Sequence, residues 1–220
     1  MSSTQVVRDY FDREAKRFDA IYEQRKPIVQ QVVDRLFRQV VVERYRLICN
    51  LAPCGHRWTA LDVGCGSGRY TITLAQAGAA RVVGVDVSTE MLDLAHAEAV
   101  RARVTGNCEF VASSFVDYAA PQKFDSVIAA GYFDYLKDPL VDLKKMIADC
   151  SGRLFCSFPK RWEYRAPTRK LRFAIANGYV RFYSRREVVG LFTDAGLATE
   201  RLSLIDLGRD WIACARAPQS

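Results

Sequence analysis

The run Leu61-Asp62-Val63-Gly64-Cys65-Gly66-Ser67-Gly68-Arg69-Tyr70 constrains the fold more than any other stretch of the chain. An approach through Thr59, Ala60 and Leu61 enters three glycines at alternate positions, and a helical pattern runs on from Tyr70 to Ala77. That order predicts a buried strand, a tight turn and the start of a helix. Glycine belongs in such a turn because a side chain would block close approach of a ligand and forbid the turn's dihedrals. Beyond Gly68 a second apolar run, Val82-Val83-Gly84-Val85, ends in Asp86. A carboxylate at the tip of the neighbouring strand is placed to accept hydrogen bonds from a ribose diol.

Two cofactor classes use this arrangement, and glycine spacing separates them. A dinucleotide site asks for G-x-G-x-x-G/A. Counted from Gly64 the sixth position is Arg69, and counted from Gly66 it is Thr71, so neither frame fits. Asp62-Val63-Gly64-Cys65-Gly66-Ser67-Gly68 instead resembles the first motif of the class I S-adenosylmethionine-dependent methyltransferases. A structural glycine turn in some other α/β protein is the bland alternative; the company of Asp86 counts against it.

The 220 residues are enough for one large domain with a buried core. With 50% hydrophobic and 26% charged residues, the composition is that of an ordinary globular protein. No apolar run approaches bilayer length and the N-terminus is polar, so a cytoplasmic location is expected. The seven cysteines (Cys49, Cys54, Cys65, Cys108, Cys150, Cys156, Cys214) are odd in number and scattered. They form no C-x-x-C pair or Cys/His cluster, which reads as reduced thiols and no metal site. The formal net charge of +7 is concentrated between Lys160 and Arg186, where nine basic residues face the single acid Glu163. The rest of the chain is near neutral, so the basicity needs a local explanation.

At the N-terminus, Val6, Val7, Tyr10, Phe11, Phe18, Ile21 and Tyr22 recur at roughly helical spacing. They read either as an amphipathic helix packed on the domain or as a lid. Pro27 suits the first turn of a second helix, apolar on one face through residue 51, and Pro53-Cys54-Gly55-His56 connects it to the first strand. Ser88 caps a helix from Thr89 to about Arg103. In that helix Met91 faces either an adenine edge or the core, and His96 reads as surface. A strand at Cys108–Ala112 leads to Ser113-Ser114-Phe115, and a fourth at residues 124–130 opens into Gly131-Tyr132-Phe133-Asp134-Tyr135-Leu136-Lys137-Asp138-Pro139. A helix to about Asp149 and a fifth strand at Arg153–Phe158, stopped by Pro159, come next. Ligands of open α/β sheets sit beyond the carboxyl ends of the strands, so the tips of the first and fourth strands face one crevice. Ser184-Arg185-Arg186-Glu187 has the capping-box pattern for a last helix to Ala195, closed by Gly196. Two β-like runs, Ala198 to Leu207 and Trp211 to Ala215, finish the chain.

The fold class expected is α/β: a Rossmann-like three-layer sandwich with a mostly parallel sheet. The methyltransferase resemblance, covering roughly Trp58 to Ala215, adds seven strands ordered 3-2-1-4-5-7-6 with the last antiparallel. One domain over 1–220 is expected, with a helical cap at 1–56 and a cofactor-binding core at 57–158. A basic insertion follows at 159–183, then the last helix and strand pair at 184–220. The N-terminal pattern Tyr10-Phe11-x-x-x-Ala15-x-x-Phe18-Asp19 resembles helices that cover the active site in small bacterial methyltransferases.

The resemblance implies S-adenosylmethionine as cofactor, with the amides of Gly64, Cys65, Gly66 and Gly68 on its amino-acid portion and Asp86 on its ribose. Val87, Met91 and Ala130 line the same site and Tyr22 reaches it from the lid. Asp62 stiffens the turn or meets the cofactor's ammonium. Ser114 stands where the family has an adenine-binding Asp, and Phe115 stacks on adenine or joins the core. Asp134 is the candidate acid–base or acceptor-orienting residue; Tyr10, Tyr132 and Tyr135 are candidate walls of the acceptor pocket. Arg165 and Arg169 are candidate partners of an acidic group on a small-molecule acceptor. The alternatives are RNA or another macromolecule as acceptor, a cofactor-binding subunit without activity, and attachment of the basic segment to anionic lipid. The missing Asn/Asp-Pro-Pro-Tyr/Phe loop after the fourth strand counts against nucleic-acid base chemistry.

Overall fold

The computed structural model describes residue 8 and residues 43–52, 57–161 and 180–218. The lid pattern with Tyr10 and Tyr22, the loop residue His56, and the arginines Arg165 and Arg169 lie outside the described residues. Among those described, no helix is long and apolar enough to cross a membrane.

Seven strands form one sheet: β1 (Thr59–Val63), β2 (Arg81–Asp86), β3 (Cys108–Ala112), β4 (Phe124–Ala129), β5 (Cys150–Pro159), β6 (Leu202–Asp206) and β7 (Asp210–Arg216). Their order is β3-β2-β1-β4-β5-β7-β6. The pairs β1–β2, β1–β4, β2–β3 and β4–β5 are parallel, while β7 runs antiparallel to β5 and β6. This is the order the resemblance implies. Strand order reverses between β1 and β4, which opens the ligand crevice at their carboxyl ends.

The central strands read as unbroken apolar runs because both faces are covered. Leu61, Val63, Val83, Val85, Val127, Ala129, Leu154 and Cys156 point to one face, where they meet Leu143, Met146 and Phe192. Ala60, Val82, Ile128, Phe155 and Ile212 point to the other and meet Ile48, Tyr70 and Leu74. Residues 43–51 are helical, designated α1. The other helices of the layers are α2 (Arg69–Gln76), α3 (Thr89–Arg101), α4 (Pro139–Ala148) and α5 (Arg185–Asp194).

Helix starts follow local chemistry. The Ser88 hydroxyl accepts from the Met91 amide, and Asp138 accepts from the Leu140 amide with Pro139 at the first position. Ser184 and Glu187 complete the capping box of α5. Two boundaries differ from the sequence reading. β5 begins at Cys150 rather than Arg153, because Cys150 pairs with Phe124 across an irregularity that sets Ser151 and Gly152 opposite the single residue Asp125. The run from Ala198 opens with a 3-10 turn, Thr199–Arg201, so β6 starts only at Leu202.

Candidate active site

The glycine turn joins β1 to α2, with Gly64, Gly66 and Gly68 all at positive φ (67°, 53° and 73°). At two of them space adds to the dihedral requirement. A Cβ on Gly64 would lie 2.8 Å from the Tyr132 ring, and one on Gly68 would lie 2.9 Å from the Ala95 Cβ. A Cβ on Gly66 would meet nothing within 4 Å, so the turn is open at its middle glycine.

The backbone amides of the turn are largely engaged within the protein. Those of Gly64 and Cys65 donate to the Val85 carbonyl (2.8 and 3.2 Å), and that of Gly68 donates to the Cys65 carbonyl (3.0 Å). The Gly66 amide donates to Asp86 Oδ2 at 2.8 Å. The expected use of these four amides on the cofactor therefore meets a turn that has already bound them. Cys65 is buried with its thiol against Gly84, and burial pushes that thiol well above its ordinary pKa.

Behind the turn, Asp62 is fully buried and its Oδ2 accepts from the Thr71 amide (3.1 Å) and hydroxyl (2.7 Å). Burial raises its pKa to about 7, with the Thr71 hydrogen bonds opposing. Asp62 thus ties β1 to the first turn of α2. At the tip of β2, Asp86 Oδ1 accepts from the Ser88 amide at 2.9 Å. Burial also raises the Asp86 pKa, against the bonds from Ser88, Gly66 and Val87. Each oxygen keeps capacity for a further donor. Met91 packs in the core.

Past β3, the Ser114 hydroxyl donates to Asp117 Oδ2 at 2.5 Å. Phe115 is buried, edge-on to Tyr132 at 6.4 Å, with the Lys145 ammonium 4.9 Å from its ring centre. The Tyr132 ring lies over Gly64, and its hydroxyl donates to Asp142 Oδ1 on α4 at 2.6 Å. Burial, then Asp142, push the Tyr132 phenol far above its ordinary pKa.

Beyond β4, Ala130 is partly buried, and Asp134 lies buried in a short 3-10 turn, Phe133–Tyr135, with Tyr135 half-exposed. The Asp134 carbonyl accepts from the Arg181 amide at 2.8 Å, and the Tyr183 hydroxyl donates to the Phe133 carbonyl at 3.0 Å. Basic residues flanking 162–179 are engaged: Lys160 pairs with Asp206 over the Trp211 ring, Arg161 pairs with Glu187, and Arg181 donates to the Lys137 carbonyl.

Arg44 of α1 lies within reach of the Asp134 charge. Its Nη1 donates to Ser157 Oγ (3.2 Å) and Asp210 Oδ2 (3.3 Å), and its Nη2 faces Gly131, 3.5 Å from where a Cβ would sit. Its Nε is buried without a hydrogen-bond partner among the described residues. Burial disfavours the charge, but Tyr70, Asp210 and Asp134 outweigh it and raise the pKa, so the guanidinium is permanently charged.

The family described as a methyltransferase domain matches residues 60–154, the stretch holding the turn, Asp86 and Asp134. Over that stretch, 95 of the 220 residues, the chain is similar to methyltransferase domains. It is 28% identical over 154 residues to a ubiquinone biosynthesis O-methyltransferase of Paraburkholderia phymatum, covering 63% of this chain and 64% of the relative. With a ubiquinone biosynthesis O-methyltransferase of Coxiella burnetii it shares 33% over 105 residues, 44% of this chain and 42% of the relative. The chain thus spans less than two thirds of the length of these curated relatives. The fold matches the crystal structure of magnesium protoporphyrin IX methyltransferase from Synechocystis PCC 6803 with bound S-adenosylhomocysteine. That match has a TM-score of 0.75 at 23% identity, over 99% of this chain and 100% of the other.

Arg44, Ser157, Asp210 and Asp142 went unmarked in the sequence. Arg44 is one of several arginines in an amphipathic helix, and its partners lie 113 and 166 residues away. No local motif joins them.

Proposed function

We propose that the chain transfers a methyl group from S-adenosylmethionine to a small-molecule acceptor. The observation that carries this reading is the convergence at one crevice of an open glycine turn and the half-buried Asp86 and Arg44. The residues present fit the cofactor. Asp86 has lone pairs left for a ribose diol, and the space over Gly66 admits a ligand backbone. Because four of the turn's amides are already bonded, the cofactor's carboxylate needs another cation, and Arg44 supplies it. The carbonyl side of the turn and the Ala130–Gly131 tip suit the ammonium group. When bound, the sulfonium supplies a methyl group already activated for displacement.

The protein's remaining work is to align the acceptor, strip its water and, where the nucleophile is protonated, accept the proton. Asp134, buried on the turn after β4, is our candidate for that last role, or for orienting the acceptor. The half-exposed Tyr135 beside it is a candidate pocket wall. Tyr132 is assigned to the cofactor side instead, since its ring covers Gly64 and its hydroxyl is taken by Asp142. A small acceptor is supported by the names of the ubiquinone O-methyltransferase relatives and of the protoporphyrin methyltransferase that shares the fold. An acidic group on it is our reading of the basic excess between Lys160 and Arg186.

Calorimetry with S-adenosylmethionine, S-adenosylhomocysteine and NAD, followed by labelled-methyl transfer into fractionated metabolites, tests the proposal. Binding of the first two and transfer into an acidic small-molecule fraction are expected. Tighter binding of NAD, or label entering only RNA or protein, would overturn it.

A further inference from the structure

Arg44 is held in place by one hydroxyl that has a second task. Ser157, near the carboxyl end of β5, is 1% exposed. Its Oγ accepts from the Gly131 amide at 2.7 Å and from Arg44 Nη1 at 3.2 Å. A serine hydroxyl has two lone pairs and one proton, so these two donors fill its accepting capacity. Gly131 forms the left-handed turn (φ 78°) that ends β4. Arg44 comes from α1, an element with no backbone ladder to that turn. Ser157 therefore joins a backbone group on β4 to a guanidinium on α1 through a single atom.

Asp210 Oδ2 receives the same Nη1 at 3.3 Å, from the start of β7. The bonds that this nitrogen donates to Ser157 and Asp210 hold the guanidinium against Gly131, with Nη2, Nη1 and Cζ 3.5, 3.7 and 4.0 Å from where a Cβ on that glycine would sit. Asp210 supplies countercharge. Ser157 supplies the geometric link, because only it also touches the β4 turn.

We propose that Ser157 is a positioning residue for the cofactor: it fixes Arg44 against the Gly131 turn and so sets the affinity for the cofactor's carboxylate. The inference rests on the proposed function, in which Arg44 meets that carboxylate. Without the hydroxyl, the partly buried Gly131 amide loses its acceptor and Arg44 Nη1 keeps only Asp210. The loss then falls on the amino-acid end of the ligand and spares the nucleoside end, which Asp86 and the turn hold.

Two ligands separate these ends: S-adenosylhomocysteine, which carries the carboxylate, and 5′-methylthioadenosine, which lacks the amino-acid group. Calorimetry of Ser157→Ala should show the dissociation constant for S-adenosylhomocysteine raised about tenfold, as for one hydrogen bond to a charged group. That for methylthioadenosine should stay within about twofold, a change of less than 1 kcal/mol. Ser157→Cys, near the same volume but a weak acceptor, should reproduce the selective loss; it also serves if the alanine variant fails to fold. Unchanged affinity for S-adenosylhomocysteine, or equal loss for both ligands, would overturn the proposal. Arg44→Gln measured alongside distinguishes the two levels. If it leaves S-adenosylhomocysteine binding intact, the Arg44 reading itself fails. If Arg44→Gln weakens that ligand selectively while both Ser157 variants do not, only the role of Ser157 falls.

Discussion

On the β1–β2 side of the crevice the polar groups find partners close in sequence: Ser88 and Asp86, Thr71 and Asp62, Gly66 and Asp86 are 2, 9 and 20 residues apart. On the β4–β5–β7 side, Arg44 reaches across 113 residues to Ser157 and 166 to Asp210. The near side is built from one strand–turn–helix unit and the strand beside it, so it forms wherever that unit forms. The far side exists only when β5 and β7 have taken their places in the sheet. Variants on the near side should therefore cost stability and nucleoside binding. Those on the far side should cost turnover and carboxylate recognition while the fold holds.

The largest effect expected is a pH dependence at Asp62. Its folded pKa of about 7 lies above the ordinary 3.8, so the folded state holds its proton more tightly than the unfolded chain. The stability contribution is fully present below pH 3.8 and is lost as pH rises through about 7. Asp62→Asn keeps an acceptor for Thr71 and cannot ionise. Relative to it, the natural protein should lose about 1.4 kcal/mol per pH unit across that window, on the order of 4 kcal/mol in all. Chemical denaturation of both proteins at about pH 4, 5.5, 7 and 8 measures this. A gap that stays constant with pH would place the buried charge of the near side elsewhere.

Next is Gly68→Val. A β-branched residue at φ 73°, with its Cβ 2.9 Å from that of Ala95, combines backbone strain with overpacking, together about 3 kcal/mol. A shift in denaturation midpoint without a change in slope is expected. A neutral result would mean that the near side is less tightly specified than the far side, reversing the comparison.

Asp134→Asn probes the far side. Turnover should fall about 10²-fold, in line with general-base losses, while S-adenosylhomocysteine affinity and the melting temperature hold. Stability falling as far as in Gly68→Val would erase the distinction between the two sides.

Asp86→Asn should weaken S-adenosylmethionine and methylthioadenosine together by about tenfold, because both carry the ribose. That pattern is the mirror of the one expected at Ser157, and the same calorimetry reads it.

The smallest effect is expected where the two sides touch. Tyr132→Phe keeps the ring over Gly64 but removes the donor to Asp142, which should cost about 1 kcal/mol with little change in ligand affinity. A larger loss of cofactor affinity than of stability would show that the Asp142 bond, rather than the ring, shapes the slot.

Much of the near side is legible in the amino-acid sequence alone. The glycine turn, Asp86, the Ser88 and Ser184 caps and the alternating strands and helices are statements about neighbours along the chain. They depend on dihedral limits, capping geometry and apolar periodicity. The sheet order came with the family resemblance that those same residues carry. Other readings stopped at the same physical limit. Ser114 sits in the position expected for an adenine contact, yet its hydroxyl goes to Asp117, three residues on. Phe115 and Met91 stood open between ligand and core, and packing puts both among buried apolar side chains.

By itself, then, the sequence determined which elements form and which end of the sheet carries the crevice, because those follow from interactions within a turn or between adjacent strands. Only the tertiary structure decided that Arg44 lies against Gly131, that Ser157 and Asp210 hold it, and that Tyr132 lies on the glycine turn. Periodicity tells which face of an element is buried, but not which distant residue it meets there. That choice is made by strand order and register, which set Ser157 beside Ile212, two residues on from Asp210, and bring the Ser157 hydroxyl to the Gly131 amide at the end of β4.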